Sequence, residues 1–274
     1  MREELHEEPP EDQQTRGRGP SPGLPTWTSY PGPEPGVGSP APMGAAGPGQ
    51  IWAVPWRPRD VWLGVVFAAI TVAIALGLAV LLAATSANPN IDLWVGLFPS
   101  LFELLFIAVA WWFSVRKYHA PWRTLGFVKF RPSMLAVGFG LLWVTYFVIG
   151  IYNYFLRSFG LEMQTDVTPV VQELASPWPL VFTAVVIAPV SEEIFFRGFV
   201  FGGLRPRYGW LRAAVISSAL FAMAHGQLTF FPAAFLLGFL FAYLYQRSGS
   251  VWPGLILHMV VNGLALGVAV ALSS

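Results

Sequence analysis

Three short clusters put ionisable or hydrogen-bonding side chains inside otherwise apolar stretches of the chain. The first is Ser191-Glu192-Glu193-Ile194-Phe195-Phe196-Arg197. No charge occurs from Leu180 to Val190 before it, and Phe199, Val200 and Phe201 follow it. An ionisable group at bilayer depth costs roughly 2.5–3.5 kcal/mol on insertion scales, so it persists where it pairs, faces a polar cavity or does chemistry. Glu193 and Arg197 are four residues apart and share one helix face, which accounts for them as a structural ion pair. Glu192 points about 100° away and has no local cation on its own face.

The second cluster, Phe221-Ala222-Met223-Ala224-His225, places a histidine deep in an apolar helix. The third, His258-Met259-Val260-Val261-Asn262, places a histidine and an asparagine one turn apart on one face. Taken singly, a buried histidine usually just donates to a carbonyl, and an asparagine in a membrane helix bridges helices. Depth argues for more. At about 1.5 Å per residue, Glu192 lies about 16 Å from the cytoplasmic end of its helix, His258 and Asn262 roughly 10–18 Å, and His225 roughly 20 Å. One polar site explains that coincidence; independent hydrogen bonds do not require it. A carboxylate removed from water is a stronger proton acceptor and a usable general base. A neighbouring histidine can share the activated water, and a His–Asn pair offers donors to a developing oxyanion. Ser191 follows as a weaker nucleophile candidate, since adjacent helical residues do not face each other. The chemistry indicated is attack of water on an amide, without a covalent intermediate.

These clusters need helices that cross a membrane, and the composition supplies them. Apolar residues make up 55% of the 274 positions, charged residues 11%, and the formal net charge is +1. The expected class is all-α, a polytopic transmembrane helical bundle of about seven spans with a disordered N-terminal tail. The spans fall near 61–84, 93–115, 134–156, 179–201, 211–225, 230–245 and 251–272. Glu103 in the second is either a partner of the site or a snorkelling carboxylate. Pro189 removes a backbone donor and frees the carbonyl of Val185, so a kink is expected just before the carboxylates. Residues 1–60 form a proline- and glycine-rich segment with an acidic start, too poor in apolar side chains to offset ordering entropy. It has no apolar core near its start and does not read as a secretory signal peptide. The helical domain is then 61–274. Trp52, Trp56 and Trp62 around Arg57 and Arg59 suit a headgroup-level anchor. Most flanking Arg and Lys fall on one side if the N-terminal tail is cytoplasmic, which gives a multi-pass cell-membrane protein in that orientation. The absence of cysteine excludes a thiolate nucleophile and a Cys-ligated metal. The charge balance gives no reason to expect a nucleic-acid partner.

In order and on successive spans, Glu192-Glu193-x-x-x-Arg197, Phe221-x-x-x-His225 and His258-x-x-x-Asn262 resemble the three signatures of the CAAX-protease and bacteriocin-processing (CPBP, or Abi) family. The resemblance covers about 179–267. It implies hydrolysis of a peptide bond of a membrane-associated protein or peptide, in a cavity within the bilayer open to the cytosol. Glu192 would activate water with His225, His258 and Asn262 would stabilise the oxyanion, and Glu193 and Arg197 would support the site. Relatives in the family have been labelled metalloproteases, which leaves a zinc set of His225, His258 and Glu192 open; the water-and-glutamate scheme needs no cofactor. Two other classes compete. A non-catalytic membrane scaffold would keep the cluster for packing. A proton-coupled transporter would use the glutamates and histidines as a relay, but no internal repeat is visible.

Overall fold

The computed structural model describes residues 54–85 and 91–273, without the side chains of 83, 91–98, 272 and 273. Most of the tail and the turn around Asn88, Pro89 and Asn90 lie outside the described residues. No strand occurs among the described residues. The helices are α1 (Pro58–Thr85), α2 (Ile91–Ala110, continued by a π-turn over Trp111–Arg116), α3 (Ser133–Ser158), α4 (Thr168–Glu173), α5 (Trp178–Tyr208), α6 (Trp210–Ala224), α7 (Phe231–Ser248) and α8 (Trp252–Ser273). Seven of them coincide with the expected spans. The eighth, α4, is a short helix in a segment expected to be a loop; it packs on α8.

Length and apolarity together separate two groups. Among the described residues, five helices are long and apolar enough to cross a membrane: 58–82, 99–116, 133–158, 178–208 and 252–271. Helix α6, with 15 residues, rises only about 22 Å, short of the ~30 Å hydrocarbon core. It reverses at Gly226, whose φ of +67° is one that side chains with a Cβ rarely adopt, and packs closely along α7. The expected count of seven therefore resolves into five long spans and a tightly packed α6–α7 hairpin.

Helix α5 is the axis of the core. From Ile194 to Leu204 every residue is buried, and the phenylalanines at 195, 196, 199 and 201 lie within the largest core cluster. Two π-helical stretches, Thr183–Ile187 and Glu193–Phe201, interrupt its α-helical register. Such stretches widen the turn and free backbone carbonyls for other donors. The Trp56 indole takes one of them: its Nε1 donates to the Phe199 carbonyl at 3.0 Å. Trp56 is thus buried at 2% exposure, against the expectation of a headgroup anchor, because α5 offers its ring a hydrogen bond and an apolar seat. Trp62, 39% exposed, keeps the surface position.

The basic loop after α2 folds back onto the same core. Gly126, at φ +96°, leaves no room for a Cβ, which would meet the Tyr245 ring at 2.4 Å. Its carbonyl accepts from Val251 N at 3.0 Å, and the Val128 carbonyl accepts from Ser250 Oγ at 2.7 Å. At Gly198 a Cβ would come within 2.8 Å of the Leu125 carbonyl, so glycine lets this loop lie directly on α5.

Candidate active site

The site forms where α2, α5, α6 and α8 meet. On α5, Glu193 and Arg197 make the expected ion pair, Oε1 to Nη1 at 2.9 Å, with both side chains almost wholly buried. Arg197 is further held by the Gly238 carbonyl at 3.2 Å and lies over the rings of Phe221 at 4.4 Å and Phe241 at 5.2 Å. Cation–π contacts of this kind offset part of the cost of a desolvated guanidinium.

His258 of α8 stands between the paired carboxylates. Its Nε2 is 3.5 Å from Glu192 Oε2, and its Nδ1 is 3.4 Å from Glu193 Oε1. One imidazole thus reaches both of the adjacent glutamates, which diverge along the helix. Gly254, one turn earlier on α8, makes this approach feasible, because a Cβ there would sit 3.0 Å from Glu193 Oε2. The Phe241 ring stacks on the imidazole at 5.0 Å between centroids, with 27° between planes. Glu192 retains 15% side-chain exposure, against 1% for Glu193, so it is the member of the pair open to a small reactant.

His225 does not sit inside a helix as expected. It follows the last residue of α6, Ala224, where the chain has begun to turn, and is partly exposed. Its Nδ1 lies 2.9 Å from the Phe221 carbonyl, which orients the ring. Phe221 links the cluster: its ring lies 4.8 Å from that of His225, 5.7 Å from that of His258, and under the Arg197 guanidinium.

Asn262 faces the same helix as the carboxylates but at another level. Its Nδ2 donates to the Ala184 carbonyl at 2.8 Å. The reason lies in the π-turn. Ala188 N–H bonds the Thr183 carbonyl, five residues back, and the same register would pair Ala184 with Pro189, which has no N–H. The effect of Pro189 thus reaches one carbonyl further than the Val185 of the α-helical expectation. Asn262 caps the carbonyl so exposed.

Glu103 of α2 joins the site. Ser191 Oγ donates to its carboxylate, and Glu103 is within electrostatic reach of Glu192 and His258. Ser191 itself is fully buried and engaged by Glu103 and the Ala188 carbonyl, so its hydroxyl is tied up rather than offered as a nucleophile. The signal for Glu103 was present in the sequence as a lone carboxylate in α2. Nothing in the sequence marked Phe241.

Among the described residues no three His, Asp or Glu side chains gather as a metal-ligand group. His258 turns its two nitrogens to different carboxylates, and His225 Nδ1 is tied to its own helix. The set His225, His258 and Glu192 does not fit a zinc centre in this arrangement.

Residues 174–264, which hold all of these groups except Glu103, match the family model described as Type II CAAX prenyl endopeptidase Rce1-like. Over this core the chain is similar to the CAAX-protease and bacteriocin-processing family. The chain is similar to the membrane-embedded CAAX protease MroQ of Staphylococcus aureus (strain USA300), 27% identical over 158 residues, 55% of this chain and 58% of that protein. It is also similar to YdiL of Bacillus subtilis (strain 168), described as a candidate membrane peptidase, 27% identical over 135 residues, 46% of this chain and 55% of that protein. An uncharacterized 24.3 kDa protein of Escherichia coli is 28% identical over 159 residues, 55% of this chain and 70% of that protein. The chain thus spans little more than half the length of YdiL and MroQ. No solved structure matches this chain.

Proposed function

We propose that this chain is an intramembrane endopeptidase that hydrolyses a peptide bond of a membrane-associated protein or peptide. The observation that carries the reading is the seating of His258 within 3.5 Å of Glu192 and 3.4 Å of Glu193. A structural ion pair explains Glu193 and Arg197 but gives Glu192 no cation and no reason to remain ionisable beside a histidine. A base partly open to solvent and braced by an imidazole does.

In this reading Glu192 takes a proton from water as its oxygen bonds to the scissile carbonyl carbon, and His225 holds that water. The carbonyl oxygen gains the negative charge, met by His258 and the second N–H of Asn262. The proton held by Glu192 then passes to the amide nitrogen, the C–N bond breaks, and a carboxylic acid and an amine leave. Glu193 and Arg197 hold His258 and the turn of α5 from which Glu192 projects. MroQ is named a CAAX protease, which favours a substrate cut near an accessible C-terminal region at the membrane. The test compares the membrane peptidomes of cells carrying the wild-type chain and Glu192→Gln. Fragments that vanish with the variant, at equal protein level and melting temperature, support the reading; identical peptidomes reject it.

A further inference from the structure

Far from the carboxylate cluster, a crevice opens between the foot of α1 and the end of α2. It has a volume of about 370 Å³ and is lined by Arg57, Arg59, Asp60, Leu63, Lys117 and Tyr118. Its single acid is already engaged. Asp60 is 4% exposed and accepts from Lys117 Nζ, from the Tyr118 hydroxyl and from Arg57 N–H. That hub draws Lys117 and Tyr118 inward to form one wall. The guanidinium groups of Arg57 and Arg59 remain on the rim, and no carboxylate among the described residues pairs with either. The crevice therefore carries an excess of two positive charges beside a neutralised pair.

Leu63, which lines the crevice, also begins an apolar stripe. Leu63, Phe67, Ile70, Ile74 and Leu78 recur three or four residues apart, on one face of α1, and are 46%, 53%, 54%, 65% and 52% exposed. The stripe runs for about 22 Å, more than the ~15 Å of one leaflet of a ~30 Å hydrocarbon core. Cations at its head and an apolar track continuous with them match an amphiphile with an anionic head. We propose that this crevice binds the phosphate headgroup of an anionic phospholipid, whose acyl chains lie along the exposed face of α1. Charge complementarity selects the headgroup: a zwitterionic lipid carries its own cation toward Arg57 and Arg59, and a soluble phosphate leaves the stripe unused. Basic pockets between membrane helices hold anionic headgroups by the same balance of forces.

Native mass spectrometry of the full chain, released from detergent in the presence of equal phosphatidylglycerol and phosphatidylcholine, tests this. The wild type is expected to retain phosphatidylglycerol in preference. The double variant Arg57→Gln/Arg59→Gln is expected to lose that preference by roughly tenfold or more, since each basic residue near an anionic surface contributes substantially. Arg207→Gln/Arg212→Gln, a control with the same loss of charge elsewhere, is expected to keep it. Both substituted pairs are exposed, and unchanged melting temperatures establish that the variants fold. Equal retention of the two lipids by the wild type, or an undiminished preference in the Arg57/Arg59 variant, overturns the proposal. So does displacement of the lipid by glycerol phosphate at the same concentration, which would assign the crevice to a soluble phosphate.

Discussion

Glu192 and Glu193 are chemically identical neighbours with opposite surroundings. Glu193 is sealed against Arg197, while Glu192 keeps 15% side-chain exposure and lies across from His258 Nε2. Substitution should therefore separate them. Glu192→Gln is expected to lower cleavage by 10²-fold or more, on the order of what a positioned general base supplies, with little change in melting temperature. Glu193→Gln strands the Arg197 charge in a dry site and is expected to destabilise the fold by about 3–5 kcal/mol, seen as a large fall in melting temperature in detergent. Glu103 can be sorted the same way. Its carboxylate accepts from Ser191, next to Glu192. Glu103→Gln keeps an acceptor there and is expected to retain activity within a few-fold. Glu103→Leu removes it and is expected to lower kcat by roughly tenfold or more, through misplacement of the base, with KM unchanged.

At the scale of the element, α5 departs from the regular helix its apolar sequence suggests. The π-turn over Thr183–Ile187 and the missing N–H of Pro189 leave the Ala184 carbonyl to Asn262. That bond ties α8 to α5 about two turns before the carboxylates. Asn262→Leu is expected to cost about 1–3 kcal/mol by leaving a partly buried acceptor unpaired. In a Pro189→Ala background, where residue 189 regains its N–H, the same substitution is expected to cost about 1 kcal/mol less. A double-mutant cycle read by thermal unfolding in detergent measures that coupling. Additive effects would show that Asn262 serves another partner.

Across the whole molecule, the loop between α2 and α3 acts as a clamp on the site-bearing helices. Gly126 brings it against Tyr245 and bonds it to Val251, while Leu125 rests on Gly198 of α5. Gly126→Ala forces a left-handed backbone on a residue with a Cβ, at about 1–2 kcal/mol, and drives that Cβ into the Tyr245 ring. The expected result is a lower melting temperature and faster proteolysis in this loop. Gly77→Ala, on α1, where a Cβ meets nothing within 4 Å, is the matched control and should leave both unchanged.

Much of this architecture was legible in the residues themselves. Long apolar runs set the helices to within a few positions, because a bilayer admits few other backbone arrangements. Ionisable and polar groups placed within those runs singled out Glu192, Glu193, Arg197, His225, His258 and Asn262, because such groups are costly to bury in a bilayer. Spacing along one helix also gave the Glu193–Arg197 pair, which is a local contact. What the tertiary structure decided is everything that depends on two helices meeting. It set His258 between two glutamates, buried Trp56 rather than leaving it at the surface, and brought Glu103 to Ser191 across a gap of 88 residues. It also passed the Ala184 carbonyl to Asn262. Periodicity reports which face of a helix is apolar; it carries no information on which partner that face will find, since the choice rests on side-chain packing and on backbone groups freed by departures from the α-helical register.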